Sequence, residues 1–504
     1  MRLTDSKAMY DADNKAIHIL GVPSTLLMRN AARKIATVAL ELLDKNRSAV
    51  IFCGSGNNGG DGLAAAAFLL RRGVQTRCFL TGSRAKMSGD CSEMENRLLE
   101  LGGILGDFDA EEARTALEDA GVAIDAMFGI GLNSELRGNA KEAAFLMNST
   151  DIPVVAADIP SGVDADTGRI LGDAVRADVT VTFSMAKIGQ FVEPGCEYCG
   201  KIIISDIGIP EELLSEAGTK VFAVKKEELI LPKRRQLSHK GDYGRLLILA
   251  GSTGLTGAPI MCASAAARSG AGLIYLGVPK GIYQIAASRL TEAMTFPLEE
   301  DGGGRISTRA YLSLKEKLQS CDACVIGCGL GRSAELNGLV SRILAESEKQ
   351  IIVDADGLYA LGEDAAAAIQ GAKVPPILTP HEGEFSRLGG VLSGDRVKDA
   401  REFATDRNCI LVLKGHHTIC AFPNGEAYII PYGNAGMAKG GSGDVLAGII
   451  GALCVQLPLK QAVICACAIH GLAGDSCAGK FGEYSMLPTD IVDTIPNITK
   501  DIIR

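Results

Sequence analysis

No stretch of this sequence narrows its fold as much as Lys439-Gly440-Gly441-Ser442-Gly443-Asp444-Val445-Leu446-Ala447-Gly448. The first half is nearly all Gly and Ser, and the second opens an apolar run to Leu457 that can continue as a buried helix. Glycine inside a helix costs roughly 0.5–1 kcal/mol relative to Ala, so a cluster of glycines at a helix start marks backbone that something must approach closely. Free N–H groups and the positive end of the helix dipole make such a start an anion site, suited to phosphate. A carboxylate is a poor neighbour for phosphate unless it has chemistry to do. For Asp444 that chemistry is taking a proton from a hydroxyl as the hydroxyl attacks a phosphoryl group. The competing reading is an N-cap preceded by flexible glycines.

At 504 residues the chain is too long for one ordinary core, and two domains of roughly 200–270 residues are expected. Hydrophobic residues make up 47% and charged residues 22%, which fits a globular enzyme and excludes a disordered chain. A net charge of −9 argues against a nucleic-acid surface, while leaving room for local anion sites built from backbone amides. The first 21 residues carry Asp5, Asp11 and Asp13 and no apolar signal region, and no window reaches the ~18 uninterrupted apolar residues of a membrane span. A cytoplasmic protein with no membrane partner is expected. Most of the fifteen cysteines lie in apolar stretches and read as buried free thiols. Cys196/Cys199 and Cys321/Cys324 have the spacing of metal pairs but no nearby histidine.

In the first half, Ser24 can cap a helix through Leu43, with Leu27, Ala31, Ile35, Val38 and Leu42 on one face. A strand at 49–53 runs into Gly54-Ser55-Gly56-Asn57-Asn58-Gly59-Gly60-Asp61-Gly62 and then an Ala/Leu-rich helix. Strand, glycine loop, helix is the context in which such a loop binds phosphate. Further strands at 76–80, 122–126, 154–157, 179–183 and 201–205, with helices between most of them, imply a doubly wound parallel sheet. Its ligands belong at the carboxyl ends of the strands, where Asp125 and Asp158 fall.

The segments Asn57 to Gly62, Asp125-Ala126-Met127-Phe128-Gly129-Ile130-Gly131 and Asp158-Ile159-Pro160-Ser161-Gly162-Val163-Asp164 together resemble the NAD(P)H-hydrate epimerase family. The resemblance implies a Rossmann-like domain over residues 1–210. It gives Asn57, Asn58, Gly59, Gly60, Asp61, Gly129, Ile130, Gly131, Leu132, Asn133, Ser134, Glu135 and Asp158 as substrate contacts. Potassium would be held by Asn58, Asp125 and Ser161, whose oxygens suit a hard cation. Asp158 would be the acid/base group for inversion at C6 of the hydrated nicotinamide ring, with Lys187 as electrostatic helper. Arg29 stands where that family has an acidic residue, which weakens the expectation for that edge.

Residues 211–235 lose strand periodicity, become charged and read as a linker. From 236 a second α/β layer begins, with strands at 245–250, 273–278, 323–326 and 351–354. Its glycine loops, the block Thr379-Pro380-His381-Glu382-Gly383-Glu384 and the segment Lys414-Gly415-His416-His417-Thr418 precede the Gly-Ser-Gly-Asp loop. Adjacent histidines at a strand end should point to opposite faces, which argues against a metal pair.

This order is similar to the ADP/ATP-dependent NAD(P)H-hydrate dehydratases of the ribokinase-like superfamily, an α/β/α sandwich here spanning residues 236–504. The resemblance implies nucleotide contacts at Lys414, Gly415, His416, His417, Thr418 and Gly443. Substrate contacts would be Ala258, Gly329, His381 and Asp444, with Asp444 the base. Mg²⁺, ADP as phosphoryl donor with ATP as alternative, hydrated NADH and NADPH as substrates and a homo-oligomer complete the expectation. A hydroxyethylthiazole- or hydroxymethylpyrimidine-type kinase would share the Gly-Ser-Gly-Asp loop without needing the domain in front. A nucleotide-responsive binding protein would use the same loops without turnover.

Overall fold

Apolar runs, several of them closed by glycine or aspartate, become mostly parallel strands in the computed structural model, which describes residues 1–43, 48–362 and 364–504. Its contacts divide into one unit of residues 2–221 and a second of residues 222–504 with Met1.

The first unit is built on β1 (Ser48–Cys53), β2 (Thr76–Leu80), β3 (Leu105–Asp107), β4 (Ala120–Ala126), β5 (Val154–Ala157), β6 (Val179–Phe183) and β7 (Lys201–Ser205). The order is β3-β2-β1-β4-β5-β6-β7, all parallel. Every residue of β4 and β5 is buried, as in a sheet covered by helices on both faces. Strand order reverses between β1 and β4, and that switch point opens the crevice in which ligands of such sheets bind.

The glycines after β1 serve packing as well as access. A Cβ on Gly54 would stand 1.9 Å from the Met127 carbonyl, one on Gly59 1.9 Å from the Gly54 carbonyl, and one on Gly62 2.5 Å from the Ala126 side chain. They let the helix Asn57–Arg71 sit directly on the sheet edge. Ser24 is the first residue of the helix Ser24–Leu42 and not its cap; its hydroxyl donates to Asp90 at 3.1 Å.

The second unit carries β8 (Val221–Ala223), β9 (Arg245–Leu249), β10 (Leu273–Pro279), β11 (Met294–Leu298), β12 (Ala323–Ile326), β13 (Gln350–Val353), β14 (Ile377–Leu378), β15 (Ile410–Leu413), β16 (Thr418–Ala421) and β17 (Ala427–Ile430). The order is β11-β10-β9-β12-β13-β14-β15-β16-β17-β8, with β9 to β15 parallel and β15, β16 and β17 antiparallel to one another.

The charged stretch 211–235, expected as a linker, holds the helix Glu211–Ala217 and then β8 at the edge of the second sheet. Its short apolar triplet Val221-Phe222-Ala223 was hidden between charges, and Phe222 stacks on Tyr428 at 4.9 Å. The helix Ser442–Cys454 packs on the helix Gly257–Arg268, where a Cβ on Gly448 would stand 2.2 Å from the Cys262 carbonyl. The helix Leu459–Phe481 is long and apolar enough to cross a membrane, yet 61% of its apolar window is buried within the fold. All fifteen cysteines are free, and only Cys196 and Cys454 are not fully buried.

Candidate active sites

The first centre gathers at the carboxyl ends of β1, β4, β5 and β6. Asp125, near the end of β4, is fully buried and accepts from the Ser161 N–H and hydroxyl, each at 2.7 Å, and from the Met127 N–H at 3.2 Å. Burial pushes its carboxyl up to about 6, with the Ser161 and Met127 donors opposing. The Ser161 hydroxyl also accepts the Phe128 N–H at 2.9 Å, tying the loops after β4 and β5 together. Gly129 follows, and a Cβ there would stand 3.1 Å from Asp158 Oδ2 and 3.3 Å from Asn58 Oδ1. Any side chain there would crowd both of them. The buried Asn58 amide nitrogen has no partner. Asn58, Asp125 and Ser161 thus offer oxygens around one loop, and a buried carboxylate balanced only by neutral donors fits a hard monovalent cation.

Asp158 sits at φ +67°, in the left-handed region that non-glycine residues seldom occupy. Its side chain forms a buried ion pair with Lys187, whose ammonium also donates to the Thr182 hydroxyl at 2.9 Å. Gln190 fixes both partners: its amide donates to the Asp158 carbonyl at 2.8 Å and its oxygen accepts the Lys187 N–H at 2.8 Å. Two more acids crowd this pair. Asp13 is pushed up to about 6, by burial first and then by the Asp158 charge, and its Oδ1 is buried without a partner. Asp61 is raised well above the ordinary carboxylate range, by burial and then Asp158. Expected as a substrate contact, Asp61 is buried inside the helix packing. Asn57 accepts from the Ser88 hydroxyl at 2.9 Å, and Gly131, Asn133, Ser134 and Glu135 form an exposed loop with Ile130 and Leu132 half-buried in it.

The second centre forms where β13 and β15 end at the helix Ser442–Cys454. Asp354 follows β13 and is buried; its Oδ1 accepts from the Thr379 hydroxyl at 2.6 Å and the Lys414 ammonium at 2.9 Å. Its Oδ2 lies 4.0 Å from Cys328 Sγ. A Cβ on Gly443 would stand 3.6 Å from Lys414 Nζ and 3.7 Å from Asp354 Oδ2, so Lys414, Asp354 and the helix start meet at one point. The N-cap is Gly441 at φ +108°, which makes Asp444 the third helical residue and sets the simple cap reading aside. Burial pushes Asp444 up to about 6; the Asp354 charge adds to this, while the Cys328 thiol and Lys414 oppose. Burial works to lower Lys414, but Asp354 and Glu384 outweigh it and hold the ammonium above its usual range.

Ala258 and Gly329 face each other, a Cβ on Gly329 standing 2.9 Å from that of Ala258. His381 is brought beside Lys414, whose N–H donates to the Pro380 carbonyl at 2.8 Å. The His381 ring is exposed, and its Nδ1 accepts the Gly383 N–H at 3.0 Å. Gly415 lies under the Arg396 guanidinium. His416 and His417 do not point to opposite faces: their rings stack at 4.7 Å and 16°. The chain has left β15 at Leu413 and rejoins β16 only at Thr418, so strand alternation does not apply to the turn between them. Lys439 donates to the Tyr484 and Met486 carbonyls at 2.7 and 2.6 Å and so pins a loop instead of facing the centre.

A sequence model described as NAD(P)H-hydrate dehydratase matches residues 246–497, and one described as YjeF-related protein N-terminus matches residues 24–189. The bifunctional NAD(P)H-hydrate repair enzyme Nnr of Moorella thermoacetica is 37% identical over 521 aligned residues, covering 100% of this chain and 97% of that protein. This chain belongs to the bifunctional NAD(P)H-hydrate repair enzyme family. Nnr of Thermofilum pendens is 38% identical, across 96% of this chain and 93% of its own length. A ribokinase-like superfamily protein of Enterococcus faecalis aligns with a TM-score of 0.50 at 27% identity, covering 56% of this chain and 97% of that one. Within this family frame, sequence reasoning missed Asp354, Thr379 and Cys328 in the second centre and Asp13, Thr182 and Gln190 in the first. Asp354 had a signal, an acid closing an apolar strand, whereas Asp13 is marked only by its place beside the buried face of Met9, Ala12 and Ala16.

Proposed function

We propose that the chain repairs hydrated NADH and NADPH at two centres, each with its own carboxylate. In the second, Asp444 takes the proton from the C6 hydroxyl of the S hydrate as that oxygen attacks the terminal phosphoryl group of ADP, with ATP as the alternative donor. The new bond joins the C6 oxygen to phosphorus, and the bond to ADP breaks to release AMP. Phosphate then leaves C6 with its oxygen, a ring proton is lost, and the reduced nicotinamide is restored. Water leaves poorly and phosphate leaves well, which is the chemical reason for consuming a nucleotide.

Lys414 to Thr418 and Gly443 hold the nucleotide; Ala258, Gly329 and His381 line the ring; the Gly440–Gly443 amides receive the transferred charge. Asp356, whose charge reaches Asp444, and Glu384, 3.8 Å from Lys414 Nζ, are the further carboxylates of this centre that would hold Mg²⁺, and the ion would neutralise phosphoryl charge. What supports this reading most is Asp444, half-buried and raised to about 6 at the start of its helix, with the Lys414 ammonium next to Gly443.

In the first centre Asp158 exchanges the proton that lets the C6 hydroxyl leave one ring face and return on the other, and Lys187 holds that carboxylate. Asn58, Asp125 and Ser161 would hold K⁺, which supplies fixed positive charge beside the substrate phosphates. The buried free thiols support a reducing, cytoplasmic setting. A homo-oligomer is proposed on the family resemblance and is checked by light scattering.

The test incubates purified chain with each hydrate epimer and with ADP or ATP separately. Recovery of the reduced-nicotinamide absorbance with one AMP released per turnover on ADP is expected. Nucleotide-independent recovery, or none with either nucleotide, would remove the reading.

A further inference from the structure

The dehydration centre holds a group that hydroxyl phosphorylation does not use. Cys328, the residue before Gly329, is fully buried beside two carboxylates. One ligand atom each from Cys328, Asp354 and Asp444 all lie within 4.8 Å of one another. We propose that Cys328, Asp354 and Asp444 form a binding site for a thiophilic divalent cation, with zinc the best fit, that shuts off dehydration when filled.

The geometry suits zinc. At a tetrahedral angle a Zn–S bond of ~2.3 Å and a Zn–O bond of ~2.0 Å set sulfur and oxygen about 3.5 Å apart, so Cys328 Sγ and Asp354 Oδ2, now 4.0 Å apart, draw slightly together on binding. Asp354 has that oxygen to give, because Thr379 and Lys414 both engage Oδ1. Asp444 supplies the third ligand, and the fourth tetrahedral position is left to water or a phosphate oxygen. Charge balances as well: two carboxylates and a thiolate match one divalent cation plus the Lys414 ammonium. On binding, Cys328 loses its thiol proton to solvent and nothing is oxidised. Without a cation the thiol stays protonated, its acidity suppressed first by a hydrogen bond with Cys262 and then by burial. Magnesium prefers six oxygens and keeps several waters, so the sulfur selects against it.

Once Asp444 is a metal ligand it cannot take the substrate proton. That consequence rests on its proposed role as base, whereas the binding itself does not. Metal-free full-length chain is therefore titrated with Co²⁺, following the thiolate-to-cobalt charge-transfer absorbance, and Zn²⁺ is then added. Zinc inhibition of dehydration at fixed Mg²⁺ and ADP is measured beside it, for the natural chain and for Cys328→Ser. The site predicts a charge-transfer band saturating at one equivalent, erased by zinc and missing in Cys328→Ser. Half-inhibition of the variant should need at least tenfold more zinc. No band in the natural chain, an equal band in Cys328→Ser, or equal inhibition of both forms by zinc overturns the site. A band lost in Cys328→Ser while zinc-filled enzyme still dehydrates keeps the site and instead refutes Asp444 as the base.

Discussion

Replacing Asp444 by Asn should stabilise the protein while abolishing dehydration. A carboxyl whose affinity for protons rises on folding contributes stability when protonated, below the unfolded value, and loses that contribution as pH climbs through the folded value. Asp444 moves from an ordinary 3.8 to about 6. At 1.36 kcal/mol per tenfold in proton affinity, keeping it ionised at pH 7.5 costs about 3 kcal/mol. At pH 4.5 the same group is protonated in the folded chain and mostly ionised in the unfolded one, so the penalty shrinks to about 1 kcal/mol. The amide carries no charge at either pH and keeps a hydrogen-bonding oxygen near Cys328. Urea unfolding of both forms at the two pH values measures the difference, following the transition that the substitution moves. A gain of about 3 kcal/mol falling to about 1 kcal/mol as pH drops is expected. An equal effect at both pH values, or a loss at pH 7.5, would refute a buried, charge-destabilised carboxylate at the helix start.

The same group sets the acid limb of dehydration: the rate should halve as pH falls through about 6, the value to which Asp444 is raised, and pre-steady-state rates against pH test this. Lys187→Met leaves the Asp158 carboxylate buried alone and should cost about 3–5 kcal/mol by chemical denaturation, with epimerisation lost as well. Gly59→Ala drives a Cβ into the Gly54 carbonyl, at 1.9 Å, and should cost about 1–3 kcal/mol while lowering epimerisation and sparing dehydration.

Most strands of the two sheets were legible because they are apolar runs of four to seven residues, several of them closed by glycine or aspartate. The parallel order followed from the helices between them. Elements too short or too mixed to carry a period escaped: the two-residue β14, the hairpin β16–β17, and β8 among its charges. The glycine loops were visible, but not how many of their glycines serve helix–sheet contact, since Gly54, Gly59 and Gly62 meet the protein's own backbone and side chains. The partners of the key acids were harder still. Lys187, 29 residues from Asp158, was reached through the family resemblance, whereas Lys414, 60 residues from Asp354, was expected only as a nucleotide contact, because that pair exists only once the sheet has brought the strand ends together. The histidine pair was misread because strand alternation was extended into a turn.

The account stands on two separate carboxylates doing separate chemistry. The most direct measurement is a paired assay of Asp444→Ala and Asp158→Asn, following epimer exchange and AMP release on one preparation of hydrated NADH. Asp444→Ala should exchange the epimers at the natural rate and release no AMP. Asp158→Asn should dehydrate the S form normally and leave the R form untouched. Substantial AMP release by Asp444→Ala, or loss of both activities in either variant, would contradict it.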